Sequence, residues 1–289
     1  MNTPKVGIII DSAASIPSDV PFLRPSVVPL SIIIDETAYL DQIDISTSDI
    51  YKKLKSGSHS FSTSAPSPAQ FYKAIVSVSS KFESILVITV SPKFSGTINS
   101  AKVAIDTYLE EQTNPIDIRL FDSGSAAGGE GLIVMEACKA AMHSDSIDEV
   151  ERYAKAASEQ VRLLAYVDTL YYLWKGGRVP GIAYLGANML GLKPLFEMRQ
   201  GKIIRHGVHR SELDAIDSMT VLISDNVTGN DIKACVMHAD ALEQANQIVE
   251  SLNASTLVVD QYITELTPAM GVHTGPGTVG VAFIPVLSL

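Results

Sequence analysis

Two cysteines in 289 residues, Cys138 and Cys235, far apart and without CxxC or Cys/His spacing, exclude a disulfide framework and a structural zinc site. That usage points to a reducing compartment. No apolar run approaches the ~18 residues of a membrane helix. The first residues, Met1-Asn2-Thr3-Pro4-Lys5, lead into an apolar segment too short for a signal sequence and without a small-residue cleavage site, so a cytoplasmic location is expected. Positive charge is scarce as well. The 22 Lys and Arg against 32 Asp and Glu leave a net charge of -10, the wrong sign for affinity gained by neutralising phosphates, so neither nucleic acid nor an anionic membrane is expected as main partner.

The motifs of common catalysts are also missing. The chain has no GxxxxGK[ST] phosphate loop, no GxSxG nucleophile elbow and no HExxH, and Asp11, Asp41, Asp44 and Asp122 lie in no metal-ligand spacing. The single GxGxxG, at 275–280, leads into a predicted strand instead of opening a helix and reads as a chance match.

What is present is a globular chain: 46% hydrophobic and 19% charged residues, over roughly twice the ~150 residues of one domain. Short β-branched runs at 6–10, 27–34, 85–90 and 116–121 alternate with helix-compatible stretches at 47–55, 67–77, 95–109, 128–143 and 148–164. Runs apolar on both faces suit parallel strands covered on both sides, a doubly wound α/β unit that binds ligands beyond the carboxyl ends of its strands. Ser67 with Gln70 has capping-box spacing, with Pro68 at the first helical position. Near residue 160 the texture changes. A hairpin turning at Gln200-Gly201, strands at 233–238 and 256–263 around a helix at 241–252, and a final strand pair near 271–273 and 279–284 predict a second α+β domain. The division is 1–160 and 161–289.

Four hydroxyl- and glycine-rich turns follow or flank these strands: 62–67, containing Thr63 and Ser64; 91–97, containing Ser95 and Gly96; 122–125, containing Ser123 and Gly124; and 273–278, opened by His273. Hydroxyls and free N–H groups at helix starts hold an oxyanion, a phosphate or a carboxylate. Ser and Thr at such junctions are also ordinary N-caps, and spacing alone leaves both readings open. Among six histidines His273 stands out, because before Gly-Pro-Gly its ring could donate to a bound anion. A nucleophilic reading, a small-molecule hydrolase or kinase using Ser95 or Ser123 with His273, is the alternative.

Asp11-Ser12, Val28-Pro29-Leu30, Tyr39-Leu40-Asp41, Thr63-Ser64-Ala65-Pro66-Ser67, Ser95-Gly96-Thr97, Asp122-Ser123, Leu173-Trp174-Lys175-Gly176-Gly177-Arg178, Lys193-Pro194, Arg210 and His273-Thr274-Gly275-Pro276-Gly277 occur in this order. In that combination the chain resembles the DegV family of bacterial fatty-acid-binding proteins over nearly its whole length. The resemblance implies two α/β domains, a Rossmann-like N-terminal parallel sheet and a smaller C-terminal unit, with a long-chain fatty acid in a tunnel between them. It implies a non-catalytic carrier whose Thr63, Ser95 and His273 hold the carboxylate, supported by the turns containing Ser64, Gly96, Ser123 and Gly124. It further implies a separate fatty acid kinase as partner, docked through Arg210, and no cofactor or metal. Relatives often carry Gln where this chain has Ala65, so one polar contact near the head group is expected to be lost. Candidate tunnel walls are Ile32, Ile34, Tyr166, Leu170, Leu185, Leu190, Leu192 and Phe196.

Overall fold

The computed structural model describes residues 4–17, 24–178, 191–227, 231–255 and 258–287. Strands β1 (Val6–Asp11), β2 (Ser26–Val28), β6 (Ser84–Thr89) and β7 (Asp117–Asp122) form a parallel sheet in the order β2-β1-β6-β7. The reason lies in the runs themselves. Every residue of β1 and β6 is buried, and alternate side chains serve two cores. Ile9, Ile85 and Val87 pack under α2 (Pro68–Ser79) and α3 (Thr97–Glu111), whereas Ile8, Ile10, Leu86 and Ile88 pack under α4 (Ala127–His143) and α5 (Ile147–Gln160). The chain leaves β1 for β2 on one side while β6 lies on the other, so the topological switch point falls between the ends of β1 and β6.

A six-stranded sheet is built from β8 (Arg162–Tyr166), β9 (Lys193–Arg199), β10 (Lys202–His209), β11 (Ile232–His238), β12 (Val258–Glu265) and β13 (Val279–Pro285), ordered β10-β9-β8-β13-β11-β12. Only β11 and β12 pair in parallel. Helices α7 (Glu212–Asn226) and α8 (Leu242–Ser255) cover one face, and α4 meets the other. Caught between the two sheets, α4 is buried almost all round, which explains its lack of a polar face. Its apolar neighbours run without interruption from Ile8 and Ile88 of the first sheet to Cys235, Met237 and Ala282 of the second. A small antiparallel sheet of β3 (Ser31–Ile34), β4 (Thr37–Leu40) and β5 (Phe61–Ser64), ordered β4-β3-β5, sits beside α1 (Thr47–Ser56), α6 (Tyr171–Gly176) and α9 (Pro268–Thr274).

Several expectations are met residue by residue. The capping box of α2 forms as spaced, and the hairpin turns at Gln200 and Gly201, whose φ values of 48° and 69° suit a type I′ turn. Others are corrected. The run 27–34 is two strands in two sheets, broken at Pro29-Leu30, because proline has no N–H to continue the ladder. The helix expected to reach 164 stops at Gln160, where Val161 turns extended and β8 begins. The strand expected at 271–273 is the end of helix α9, started by Thr267 as N-cap and Pro268 at its first position. Strands β4 and β5 and helices α6 and α7 were not anticipated from periodicity.

Candidate functional site

The switch point opens into a cavity of about 510 Å³ lined from both sheets: Ala13, Val90 and Ala127 on one side, and Leu163, Met198 and Met237 on the other. Thr63, Ser95, Gly96 and His273 all stand on its wall, Ser95 and Gly96 from a turn as expected, Thr63 from a strand and His273 from a helix where the sequence predicts turns. Each is positioned by its own element. β5 pairs with β3, placing Thr63 opposite Ile32 and pointing it inward, while Ser64, next in the strand, is exposed on the other side. Ser95 precedes α3 and accepts from the Thr97 N–H at 3.3 Å, while its hydroxyl lies 2.8 Å from the Thr97 hydroxyl. A hydroxyl pair at the start of a 15-residue helix stands where the helix dipole favours negative charge.

His273 arrives from the last turn of α9. Its Nε2 hydrogen-bonds the Thr63 hydroxyl at 2.6 Å, and its Nδ1 is buried without a partner among the described residues. Burial, and then the positive charge of Arg178, push the imidazole down to about 4, so it is neutral at physiological pH with one N–H to give. Two glycines make this seat. A Cβ on Gly176 would come 2.5 Å from His273 Nδ1, and one on Gly275, at φ 79°, would come 2.1 Å from the Tyr172 ring, so only glycine lets α6 close against α9.

Asp41 holds the other end of α9: its carboxylate accepts from the Ala269 N–H at 3.1 Å and from the Ser12 hydroxyl at 2.6 Å, and that hydroxyl in turn accepts from Leu30 N–H. Asp11 likewise accepts from the N–H groups of Ala13 and Val90. Burial raises both carboxyls to about 6. Both hold the backbone at strand ends.

Three expected supports stand apart: Ser64, exposed on the other side of β5, and the two in the 122–125 turn. The Ser123 hydroxyl is spent within its own turn, accepting from Ser125 N–H and donating to Ser125 C=O, each at 3.1 Å. Gly124 lies under the β9–β10 hairpin, its carbonyl accepting from Gly201 N–H at 2.6 Å. Neither lines the cavity. Arg210 is exposed in the bend between β10 and α7. Of the predicted walls, Phe196 lines the cavity; Ile32 and Ile34 belong to the core above α4, Tyr166 to the core under α7, and Leu170 and Leu192 stand off the wall, while Leu185 and Leu190 lie outside the described residues. Among the described residues no group of His, Cys, Asp and Glu is arranged to hold a metal, and no helix is long and apolar enough to cross a membrane.

The model of the family described as "Uncharacterised protein, DegV family" matches residues 5–286. The chain belongs to the DegV family. A DegV domain-containing protein of Clostridium perfringens is 29% identical over 96% of this chain and 98% of its own length. A Thermus thermophilus DegV family protein, solved in a study of its fatty acid binding, is 26% identical with a TM-score of 0.87, covering 98% of this chain and all of that one. The fatty-acid-binding DegV of Bacillus subtilis has the same fold, at 23% identity, a TM-score of 0.84, and 98% and 100% coverage. Within this DegV chain, Arg178 is, with Lys93, a charged cavity residue that residue pattern does not single out. It lay in the Lys175-Gly176-Gly177-Arg178 segment, where two glycines before a cation signal a backbone brought close to something.

Proposed function

We propose that this DegV protein carries a long-chain fatty acid in the cavity, its carboxylate at Thr63, Ser95 and His273, and presents it to a separate fatty acid kinase that docks near Arg210. The halves 1–160 and 161–289 then act as the two walls of one tunnel. The observation that carries this reading is that two hydroxyls and a neutral imidazole, with the cations Lys93 and Arg178, stand on the wall of a cavity whose other lining is mostly apolar. Roughly 0.8 kcal/mol per buried CH₂ offers on the order of 12 kcal/mol for a chain of about sixteen carbons before entropic costs. Alanine, leucine and methionine walls therefore dominate affinity, and the polar trio fixes orientation. A volume near 510 Å³ lies within the range of small-molecule sites.

The nucleophilic alternative finds less support. His273 Nε2 is bonded to Thr63, Ser95 to Thr97 and Ser123 to its own turn, and Nδ1 of His273 meets no carboxylate that could orient it as a base. A carrier also accounts for the cytoplasmic location expected from the sequence. The test is to denature protein purified from cells, extract it and identify the released molecules by mass spectrometry. A long-chain fatty acid near one per chain is expected; a stoichiometric nucleotide or sugar phosphate without an acyl chain would overturn the reading.

A further inference from the structure

A second cavity of about 260 Å³ opens at the carboxyl ends of β1 and β2, against the end of β12. Its floor is polar: Ser15, Asp41, Thr264, Glu265 and Thr267. Its lip is apolar, with Val27 and Ile43 exposed by 46% and 67%. Three features make this more than a crevice. First, the Ser15 hydroxyl is buried, with the residue only 1% exposed, and has no partner among the described residues, although such groups are nearly always satisfied. Second, among the described residues the lining holds two carboxylates and neither Lys nor Arg, in contrast to the main cavity with its Lys93 and Arg178. Third, the segment 264–270 serves both cavities: Thr264, Glu265 and Thr267 face the second, whereas Leu266, Ala269 and Met270 face the main one, and His273 ends the same helix.

We propose that this second cavity binds a small amphipathic primary amine, its ammonium group held by the Ser15 hydroxyl and the carboxylates and its apolar body under Val27 and Ile43. The ammonium supplies three donors to groups that accept, and the exposed Val27 and Ile43 are shielded by its alkyl part. Because Asp41 also accepts from Ala269 N–H at the start of α9, occupancy bears on the helix that carries His273. The site is therefore coupled to the main cavity, and by linkage each ligand changes the other's affinity by the same factor. This coupling rests on the carrier reading; the amine site does not.

The test uses n-butylammonium chloride as probe on the full chain with isoleucine methyl groups labelled for NMR, at constant ionic strength, with n-butanol as the uncharged control. Saturable shifts at Ile10, Ile16 and Ile43 are expected, with n-butanol binding about tenfold more weakly for want of charge-assisted bonds. Ser15→Ala and Glu265→Gln should each weaken the amine, and Ile43→Trp should block it. Equal binding of amine and alcohol, or shifts that never saturate, would overturn the site. Repeating the titration on palmitate-loaded and delipidated protein separates the claims: an unchanged amine affinity refutes the coupling alone, and amine binding in a protein that takes up no palmitate would leave the site standing while removing the carrier reading.

Discussion

Residues 91–97 and 122–125 leave neighbouring parallel strands, β6 and β7, with nearly the same chemistry of serine and glycine, and they end in opposite conditions. Ser95 is followed by Gly96 as N-cap and by α3, so its hydroxyl and that of Thr97 lie side by side at a helix start, with Ser95 on the cavity wall. Ser123 is followed by Gly124 at φ 62°, which curls the chain until Ser125 takes both of the hydroxyl's bonds, and the hairpin tip covers the turn. The lesson is that a helix starting directly after Ser95 leaves that residue on the cavity wall, whereas a left-handed glycine after Ser123 closes the turn around its hydroxyl and away from the cavity.

The comparison breaks most visibly in binding. Combining Thr63→Ala with Ser95→Ala removes two of the hydroxyls proposed to hold the carboxylate, at about 1.5–3 kcal/mol each, and should weaken a fluorescent fatty acid by ~100-fold or more. Ser123→Ala should shift that titration by less than about twofold. A Ser123 variant as impaired as the double variant would erase the distinction between the turns.

His273 sharpens it through pH. Its folded value near 4 lies below the ordinary 6.5, so the unfolded chain binds the proton first, and delipidated protein loses stability as pH falls through that window. Asp11 and Asp41, raised to about 6, work in the opposite direction because the folded state protonates first, and they mask the effect in the parent protein. His273→Gln removes only the first contribution. Urea unfolding at pH 7 and near pH 4 should show the variant gaining about 2–3 kcal/mol relative to the parent on acidification; a difference independent of pH would mean the imidazole is not held neutral by the fold.

Smaller effects follow from the closed turn and the surface. Ser123→Ala leaves the buried Ser125 N–H without its acceptor and should lower stability by about 1–2 kcal/mol, read as a denaturation midpoint shift with fatty acid affinity retained. Arg210→Ala should leave that affinity unchanged and slow acyl-phosphate formation by a supplied kinase a few-fold, since an exposed charge tunes association. Full kinase activity in Arg210→Ala would place the docking surface elsewhere.

Local rules carried the sequence reading a long way. All-apolar runs announced β1 and β6, Ser67-Pro68 with Gln70 announced the start of α2, and Gln200-Gly201 announced a hairpin, because each rests on neighbours in the chain. Strands β4 and β5 are short and half exposed, stabilised by pairing with β3 and not by their own pattern, and so left little periodic trace. Helix α9 was mistaken for a strand although Thr267-Pro268 is an N-cap followed by proline at the first position, a signal overshadowed by the glycines after it.

For the site, residue types at strand ends nominated Thr63, Ser95 and His273, and also Ser64, Ser123 and Gly124, which the fold turns away from the cavity. The sequence by itself determined the parallel sheet, its covering helices and the stock of hydroxyls and glycines, since those follow from side-chain chemistry and spacing over a few residues. Only the tertiary structure decided which of them meet. Thr63 and His273 are 210 positions apart and hydrogen-bonded, and the neutral state of the imidazole comes from burial and from Arg178. Such pairings arise from α6, α9 and β5 packing together, a contact whose energy is shared among distant segments and leaves no period in any of them.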